Sequence, residues 1–152
     1  MNIEKKATLE DAISIAALAH KGQTEKVTKH YIFHPLRMML RMKSETAMMV
    51  AVLHDVVEDT EWTFEQIREK GFSDEVLNAL DCVTARDDES YEQFIERVRT
   101  NPIAIEVKIA DLEDNMNLQR IREVGEHDLV RLKKYHKAWR VLTKEGKAPK
   151  TD

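Results

Sequence analysis

A chain of 152 residues is long enough for one domain with a sizeable core, and 42% hydrophobic and 34% charged residues are typical of a globular protein. The net charge of −4 argues against a nucleic-acid partner, and the longest apolar run, residues 47–53, is too short to span a membrane. A single cysteine and the lack of an apolar signal segment at the start predict a cytoplasmic protein. We expect it to bind neither nucleic acid nor a membrane.

The spacing of apolar residues is helical nearly throughout, and glycine and proline are scarce, at four and three residues. This pattern predicts an all-α fold, a single-domain bundle of about seven to eight helices. In chain order we expect helices over residues 8–21, 36–42, 44–57, from 63, 73–84, from 90, 101–118 and 127–143. Their starts carry capping residues, namely Thr8, Ser44, Thr63, Ser73, Ser90 and Asn101. We expect the domain to span residues 1–145 and residues 146–152 to form a flexible tail.

Charged side chains interrupt one of the apolar segments. Residues 48–53 are all apolar and lead directly into His54 and Asp55, then two valines, then Glu58 and Asp59. On a continuous helix His54 shares a face with Glu58, and Asp55 with Asp59, because each pair is four residues apart. Charged groups on a buried helix face need a reason, so this segment is a candidate site.

Two other segments supply similar groups. Asp111 ends the apolar segment that begins at residue 103, and Asn115 follows one helical turn later on the same face. His34 immediately precedes Pro35, which biases it away from helical geometry. We therefore expect His34 at the junction between a loop and the second helix, with its side chain free to turn inward.

Together these segments offer two imidazoles and two carboxylates, from His34, His54, Asp55 and Asp111. Such a mixture of nitrogen and oxygen ligands suits a divalent transition metal such as Mn²⁺, Fe²⁺, Zn²⁺ or Co²⁺. The alternative is that each residue is ordinary by itself, because His-Asp pairs occur by chance on surfaces and buried histidines are more often hydrogen-bonded than metal-bound. Since all four lie in apolar surroundings, a metal site is the better interpretation.

These segments resemble the HD superfamily of metal-dependent phosphohydrolases, and within it the hydrolase domain of RelA/SpoT proteins and the small stand-alone alarmone hydrolases. Residues 19–35 match the family pattern that begins A-H-x-G-Q and ends Y-I-x-H-P. Residues 53–60 match L-H-D-x-x-E-D-T, and residues 108–115 match K-L-A-D-x-x-x-N apart from an isoleucine at the second position. Several ordered motifs at compatible spacing are much more specific than any one of them.

The resemblance implies a role for each matching residue. It implies metal ligands, with Mn²⁺ as the cofactor, at His34, His54, Asp55 and Asp111. It implies a catalytic acidic pair at Glu58 and Asp59, and contacts to a small nucleotide substrate from Lys26, Asn115, Arg131 and Tyr135. The implied reaction is hydrolysis of the 3′-pyrophosphate of ppGpp or pppGpp, giving pyrophosphate and GDP or GTP, on an HD-type helical fold.

Three regions depart from the alarmone-hydrolase pattern. Glu25 occupies the place of a family arginine, Leu112 replaces a basic residue after the ligand aspartate, and residues 86–90 are mostly acidic where relatives carry a basic stretch. A carboxylate at position 25 repels a polyphosphate. The metal and acid residues are thus intact, while the groups for polyphosphate recognition are altered.

Two other functions therefore stay open. In the first, the same hydrolytic chemistry acts on another nucleotide or on a phosphorylated metabolite. In the second, the chain is a non-catalytic sensor that binds a nucleotide. Retention of both the ligand set and the acidic pair argues against the sensor, which does not need them. The sequence also leaves open the native metal, whether His20 serves the core or the site, and whether the chain forms a homo-oligomer.

Overall fold

The computed structural model describes residues 5–25 and 30–144, and all regular structure within these ranges is helical. The helices are α1 (Leu9–Ala19), α2 (Phe33–Arg41), α3 (Glu45–Leu53), α4 (Val56–Asp59), α5 (Phe64–Glu69), α6 (Asp74–Val83), α7 (Tyr91–Val98), α8 (Pro102–Asn115) and α9 (Glu126–Lys144), with a 3₁₀ helix at Leu118–Arg120. The predicted all-α class is therefore confirmed. None of the helices in these ranges has the length and apolar character needed to cross a bilayer. The predicted tail, residues 146–152, lies outside the described residues.

Helix α3 forms the centre of the fold and packs against α1, α2, α6 and α8. It is apolar on nearly every side, and Ala47 and residues 49–53 are all buried. A helix without a polar face has to be enclosed by its neighbours. Burial of a side chain such as Leu53 contributes about 1.5–3 kcal/mol to stability. The C-terminal end of α3 therefore lies in the interior, and His54, the next residue, is buried as well.

Local hydrogen bonds fix the helix starts where the sequence predicts them. Thr8, Thr63 and Ser90 each accept the N–H of the residue three positions on, whose side chain in turn accepts the N–H of the cap. Ser44, Ser73 and Asn101 also cap the next helix through their side-chain oxygens. These bonds satisfy N–H groups that a helix leaves unpaired at its start.

The predicted helix over residues 44–57 is wrong at its C-terminal end. Helix α3 ends at Leu53, and the short α4 begins only at Val56. The His54 ring donates from Nδ1 to the Ala51 carbonyl at 2.7 Å, and the His54 N–H also points to that carbonyl. The carbonyl is thereby occupied three residues on, and the helical ladder stops. His54 and Glu58 consequently do not share the face of one continuous helix.

Helix α2 begins three residues before the predicted start at residue 36. His34 is its second residue, at the junction with the preceding loop as expected, and Pro35 is the third. Proline is tolerated in the first turn of a helix because the N–H that it lacks has no intrahelical partner there. The side chain of His34 does turn inward, as expected, and is buried.

Candidate active site

Three parts of the fold bring the four predicted metal ligands together. His34 lies in the first turn of α2, His54 and Asp55 lie between α3 and α4, and Asp111 lies on α8. His34 Nε2 is 3.0 Å from Asp111 Oδ1, and His54 Nε2 is 2.9 Å from Asp55 Oδ2 and 3.7 Å from Asp111 Oδ1. Three of the residues are buried and Asp55 is half-buried. We call these four residues the HD cluster.

The hydrogen bonds of His54 leave one ring nitrogen directed at carboxylates. Because a carbonyl oxygen only accepts, Nδ1 must carry the proton that it donates to Ala51. In the neutral ring Nε2 then presents a lone pair, and this buried atom has no hydrogen-bond partner although Asp55 and Asp111 lie beside it. A lone pair facing carboxylate oxygens is repulsive unless a cation lies between them. Burial lowers the pKa of His54, but the two carboxylates outweigh it and raise the pKa well above its ordinary value.

A contact at Nδ1 also orients the ring of His34. Its Nδ1 lies 2.5 Å from Asp114 Oδ2, which leaves Nε2 to face Asp111. Arg37 donates to both oxygens of Asp114 at 2.9 Å, and this fixes the carboxylate against the ring. An aspartate behind a histidine is the arrangement that orients metal-binding imidazoles and sets their tautomer.

Asp111 is kept ionised by donors around it. Lys108, which precedes it by one turn, donates to Oδ2 at 2.7 Å, and Asn115 donates to Oδ1 at 2.8 Å. Burial raises the pKa of Asp111, but Lys108 and the two histidines outweigh that effect and hold the pKa well below its usual range. The predicted common face of Asp111 and Asn115 thus becomes a direct contact.

The HD cluster fits a divalent cation on the chemistry of its donors. Ligand atoms of His34, His54 and Asp55 lie within 4.8 Å of one another. Both imidazoles direct Nε2 at carboxylate oxygens while Nδ1 is engaged elsewhere. Two neutral imidazoles and two ionised carboxylates match the nitrogen and oxygen ligands that divalent transition metals take. A cation between them removes the repulsion that a proton on His54 otherwise has to relieve.

The two acidic residues of the second motif lie on α4, next to the HD cluster. Carboxylate oxygens of Asp55, Glu58 and Asp59 lie within 4.8 Å of one another. Glu58 Oε1 accepts the backbone N–H of Ala85 at 3.1 Å, which holds the side chain in place from the loop after α6. Partial burial, followed by the Asp55 carboxylate, raises the pKa of both Glu58 and Asp59. A carboxyl group with a raised pKa is better suited to proton transfer near neutral pH.

His20 serves the site through Gln23 rather than the apolar core. His20 Nδ1 lies 2.8 Å from Gln23 Oε1, and Gln23 Nε2 donates to the Asp59 carbonyl at 3.2 Å. The His20 ring is buried and packs against the Tyr31 ring at a tilt of 55°, with ring centres 4.8 Å apart. Tyr31 in turn donates its hydroxyl to Asp55. The first motif therefore braces both the end of α4 and the HD cluster.

A cavity of about 600 Å³ adjoins the HD cluster. None of the four cluster residues lines it, but Tyr31, which bonds to Asp55, and Asn115, which bonds to Asp111, both do. Two of the predicted substrate-contacting residues, Asn115 and Arg131, also line it. Tyr135 lies one turn beyond Arg131 on α9, with its ring centre 5.5 Å from the Arg131 guanidinium carbon, and does not line the cavity. Lys26 lies outside the described residues.

Sequence reasoning gave no role to several residues that the structure places at the site. Asp114 and Lys108 belong to the third motif, and their spacing of three residues from Asp111 on one helix was the available signal. Tyr31 belongs to the first motif in the same way. Arg120 of the 3₁₀ helix lines the cavity but lies in no motif and no periodic segment, so nothing in the sequence pointed to it.

Comparison with known proteins finds similarity to long RelA/SpoT-type enzymes. No family model matches the chain. It is 31% identical over 121 residues to the guanosine-3′,5′-bis(diphosphate) 3′-pyrophosphohydrolase of Aquifex aeolicus, covering 71% of this chain and 17% of the relative. It is 32% identical over 123 residues to the bifunctional (p)ppGpp synthase/hydrolase SpoT of Escherichia coli K12, covering 71% of this chain and 17% of that protein. A GTP pyrophosphokinase of Streptomyces coelicolor is 32% identical over 126 residues, covering 74% of this chain and 15% of that protein. The chain thus spans about a sixth of the length of these relatives.

The fold has a counterpart among solved structures. A metazoan SpoT orthologue, described as hydrolysing ppGpp, superimposes with a TM-score of 0.68 and 21% sequence identity. The match covers 93% of this chain and 97% of the other. At that identity the likeness shows the fold. Motifs, sequence similarity and fold agree, and they identify the chain as an HD-superfamily domain of the RelA/SpoT hydrolase-like kind, for which a divalent metal is implied.

Proposed function

We propose that the chain is a Mn²⁺-dependent phosphohydrolase that removes the 3′-pyrophosphate of ppGpp or pppGpp. The observation that carries this proposal is the HD cluster, in which two imidazoles direct Nε2 at ionised carboxylates beside a second acidic pair. A set of cation ligands next to carboxyl groups that can transfer a proton suits hydrolysis of a phosphate anhydride or ester. The similarity to named ppGpp hydrolases favours this substrate.

His34, His54, Asp55 and Asp111 would hold the metal. A divalent cation there would lower the pKa of a water ligand and would offset the charge that develops on a phosphoryl oxygen. Asp114 holds the His34 ring from behind, and Tyr31 holds Asp55. These contacts fix the donor atoms before the metal binds, and less ordering is then needed on binding. This donor set accepts several divalent metals, and the family resemblance favours Mn²⁺ among them.

The acidic pair on α4 would carry the proton. Water attacks the phosphorus that bears the 3′-oxygen, the bond between that phosphorus and the 3′-oxygen breaks, and pyrophosphate leaves the nucleoside. Glu58 and Asp59 take the proton that the water loses and return it to the 3′-oxygen. The raised pKa of each side chain brings proton uptake and release closer to neutral pH.

The nucleotide would occupy the cavity beside Tyr31. Arg131 offers a guanidinium and Asn115 an amide towards this space. Lys26, which lies outside the described residues, is proposed to add a further cation. Tyr135 lies against the Arg131 guanidinium and is proposed to hold it for the substrate. The base and ribose then lie away from the metal, and the 3′-pyrophosphate lies against it.

Release of pyrophosphate and phosphate from a nucleotide panel that includes ppGpp tests the proposal. Metal-stripped protein is given Mn²⁺ back, and Asp55→Ala is assayed beside Asp74→Ala, which removes an exposed aspartate at the start of α6. We expect Mn²⁺-dependent pyrophosphate release that Asp55→Ala abolishes and Asp74→Ala leaves within about twofold. Activity only on other phosphate compounds would overturn the assignment of ppGpp as the substrate. Nucleotide binding without turnover would favour the alternative that the chain is a sensor.

A further inference from the structure

Among residues 5–25 and 30–144, the charged side chains that line the cavity beside the HD cluster are balanced in sign. Its charged lining residues number three arginines and three carboxylates, namely Arg120, Arg122, Arg131, Glu25, Glu123 and Asp128. A site built for a nucleotide with phosphates at both ends needs an excess of cations, because each phosphate adds negative charge that must be offset. The balanced lining therefore favours a ligand whose charge is concentrated at the metal and is low elsewhere.

Glu25 lies among the cations that would otherwise receive a phosphate. Glu25 Oε2 is 3.4 Å from Arg120 Nη1, and Glu25 Oε1 is 3.6 Å from Arg37 Nη2. The Glu25 side chain is only 15% exposed, so these interactions are weakly screened. Asp114 also forms an ion pair with each of these arginines, at 2.9 Å from Arg37 and 3.3 Å from Arg120. The positive charge on this wall is thus already matched by protein carboxylates.

The carboxylate of Glu25 stands where the cavity meets the HD cluster. Ligand atoms of Glu25, His34 and Asp114 lie within 4.8 Å of one another, and Glu25 lines the cavity. A substrate with its 3′-pyrophosphate at the cluster extends from there into this cavity, so its ribose and 5′ substituent have to pass Glu25. A hydroxyl there can donate a hydrogen bond to a carboxylate, whereas a phosphate is repelled and has to separate Glu25 from its arginines.

We propose that Glu25 is a specificity-determining residue that selects nucleoside 3′-pyrophosphates with few or no phosphates on the 5′ side. This inference rests on the proposed function, because it takes the HD cluster as the place where the 3′-pyrophosphate is cleaved. Glu25 acts by occupying Arg120 and Arg37 and by adding a negative charge beside the 5′ substituent. The substrate class is then a 3′-pyrophosphorylated nucleoside with a 5′-hydroxyl or 5′-monophosphate, and ppGpp is a poorer member of it.

The test compares three substrates that differ only on the 5′ side. The values of kcat/KM are measured with Mn²⁺ for guanosine 3′-diphosphate, its 5′-monophosphate and ppGpp. The wild type is expected to prefer the 5′-hydroxyl compound over ppGpp by about tenfold, with the monophosphate between. Glu25→Gln should narrow this ratio by raising kcat/KM for ppGpp, and Glu25→Arg should invert it. Glu10→Gln makes the same isosteric change at an exposed position on α1 and should keep the wild-type ratio.

The outcomes separate this inference from the proposed function. Equal kcat/KM for the three substrates, or a Glu25→Gln effect that is the same on all three, would overturn the role of Glu25 while leaving the hydrolase intact. If no substrate is cleaved, the proposed function fails, and dissociation constants of the same compounds for the Mn²⁺-loaded wild type decide the inference alone. Tighter binding of ppGpp than of the 5′-hydroxyl compound would then refute it. Glu25→Gln carries the test if Glu25→Arg does not fold.

Discussion

Replacing Asp114 with asparagine removes the charged partner behind His34. Asp114 Oδ2 lies 2.5 Å from His34 Nδ1, and Arg37 donates to both carboxylate oxygens. Asparagine has nearly the same shape but presents an NH₂ group in place of one oxygen. Whichever way the amide is turned, that NH₂ faces a donor, either the ring N–H of His34 or the Arg37 guanidinium. The variant therefore loses either the bond to His34 or part of the contact with Arg37 that fixes this side chain, and we expect His34 to be held less firmly.

The size of the effect follows from the contacts that are lost. A hydrogen bond to a charged group contributes about 1.5–3 kcal/mol, and the Asp114 side chain is 11% exposed, so little screening applies to it. The Arg37 side chain is 33% exposed, which places its share at the lower end of that range. We expect Asp114→Asn to lower the free energy of unfolding by about 2–4 kcal/mol. Loss of such a partner weakens metal binding about 10–100-fold.

Calorimetric titration with Mn²⁺ and urea unfolding measure the two effects. Asp74→Asn is the matched control, because Asp74 also bonds to an arginine but its side chain is 83% exposed. That control should change the free energy of unfolding by no more than about 1 kcal/mol and leave the Mn²⁺ affinity unchanged. A Mn²⁺ affinity of Asp114→Asn within about twofold of the wild type would refute the role of Asp114 behind His34.

Two further predictions concern stability. Gly71→Ala should lower the free energy of unfolding by about 2 kcal/mol or more, because Gly71 has φ 92° and a Cβ there lies 2.1 Å from the Lys5 carbonyl oxygen. Gly22→Ala, at φ 84° with open space around it, should cost about 1 kcal/mol, and equal losses in urea unfolding would contradict the steric argument. Burial raises the pKa of Asp114, but its bonds from His34 and Arg37 outweigh this and lower the pKa, so its contribution to stability is present above the ordinary aspartate pKa and is lost as the pH falls through the folded value. The difference between wild type and Asp114→Asn should therefore shrink below about pH 4, and a constant difference down to pH 2 would contradict this.

Sequence patterns predicted the helices well where the signal is local. Thr8, Thr63 and Ser90 cap their helices as expected, because a cap bonds to residues only two or three positions away. The break at His54 was missed. Apolar residues return at 56 and 57 directly after His54 and Asp55, which fits a continuing helix, and the bond from the His54 ring to Ala51 gives no periodic signal.

The candidate site shows the same division between local and distant contacts. Motifs singled out His34, His54, Asp55 and Asp111, and the structure brings each of these side chains within 4 Å of another member of the set. The motifs did not assign the surroundings that set their charge and orientation. Asp114 was present in a motif but its contact with His34 spans 80 positions in the chain.

By itself the sequence determined the all-α class and the helix starts that carry a capping side chain, because each depends on residue type and short spacing. It also singled out the four residues that are proposed to hold a metal. Only the tertiary structure decided which nitrogen of each histidine faces the carboxylates, and that Glu25 lies against Arg120, 95 positions away. Such contacts arise when α3 is enclosed by its neighbours and distant segments are brought to its end. Their geometry depends on how the helices pack against one another, which no local pattern of residues records.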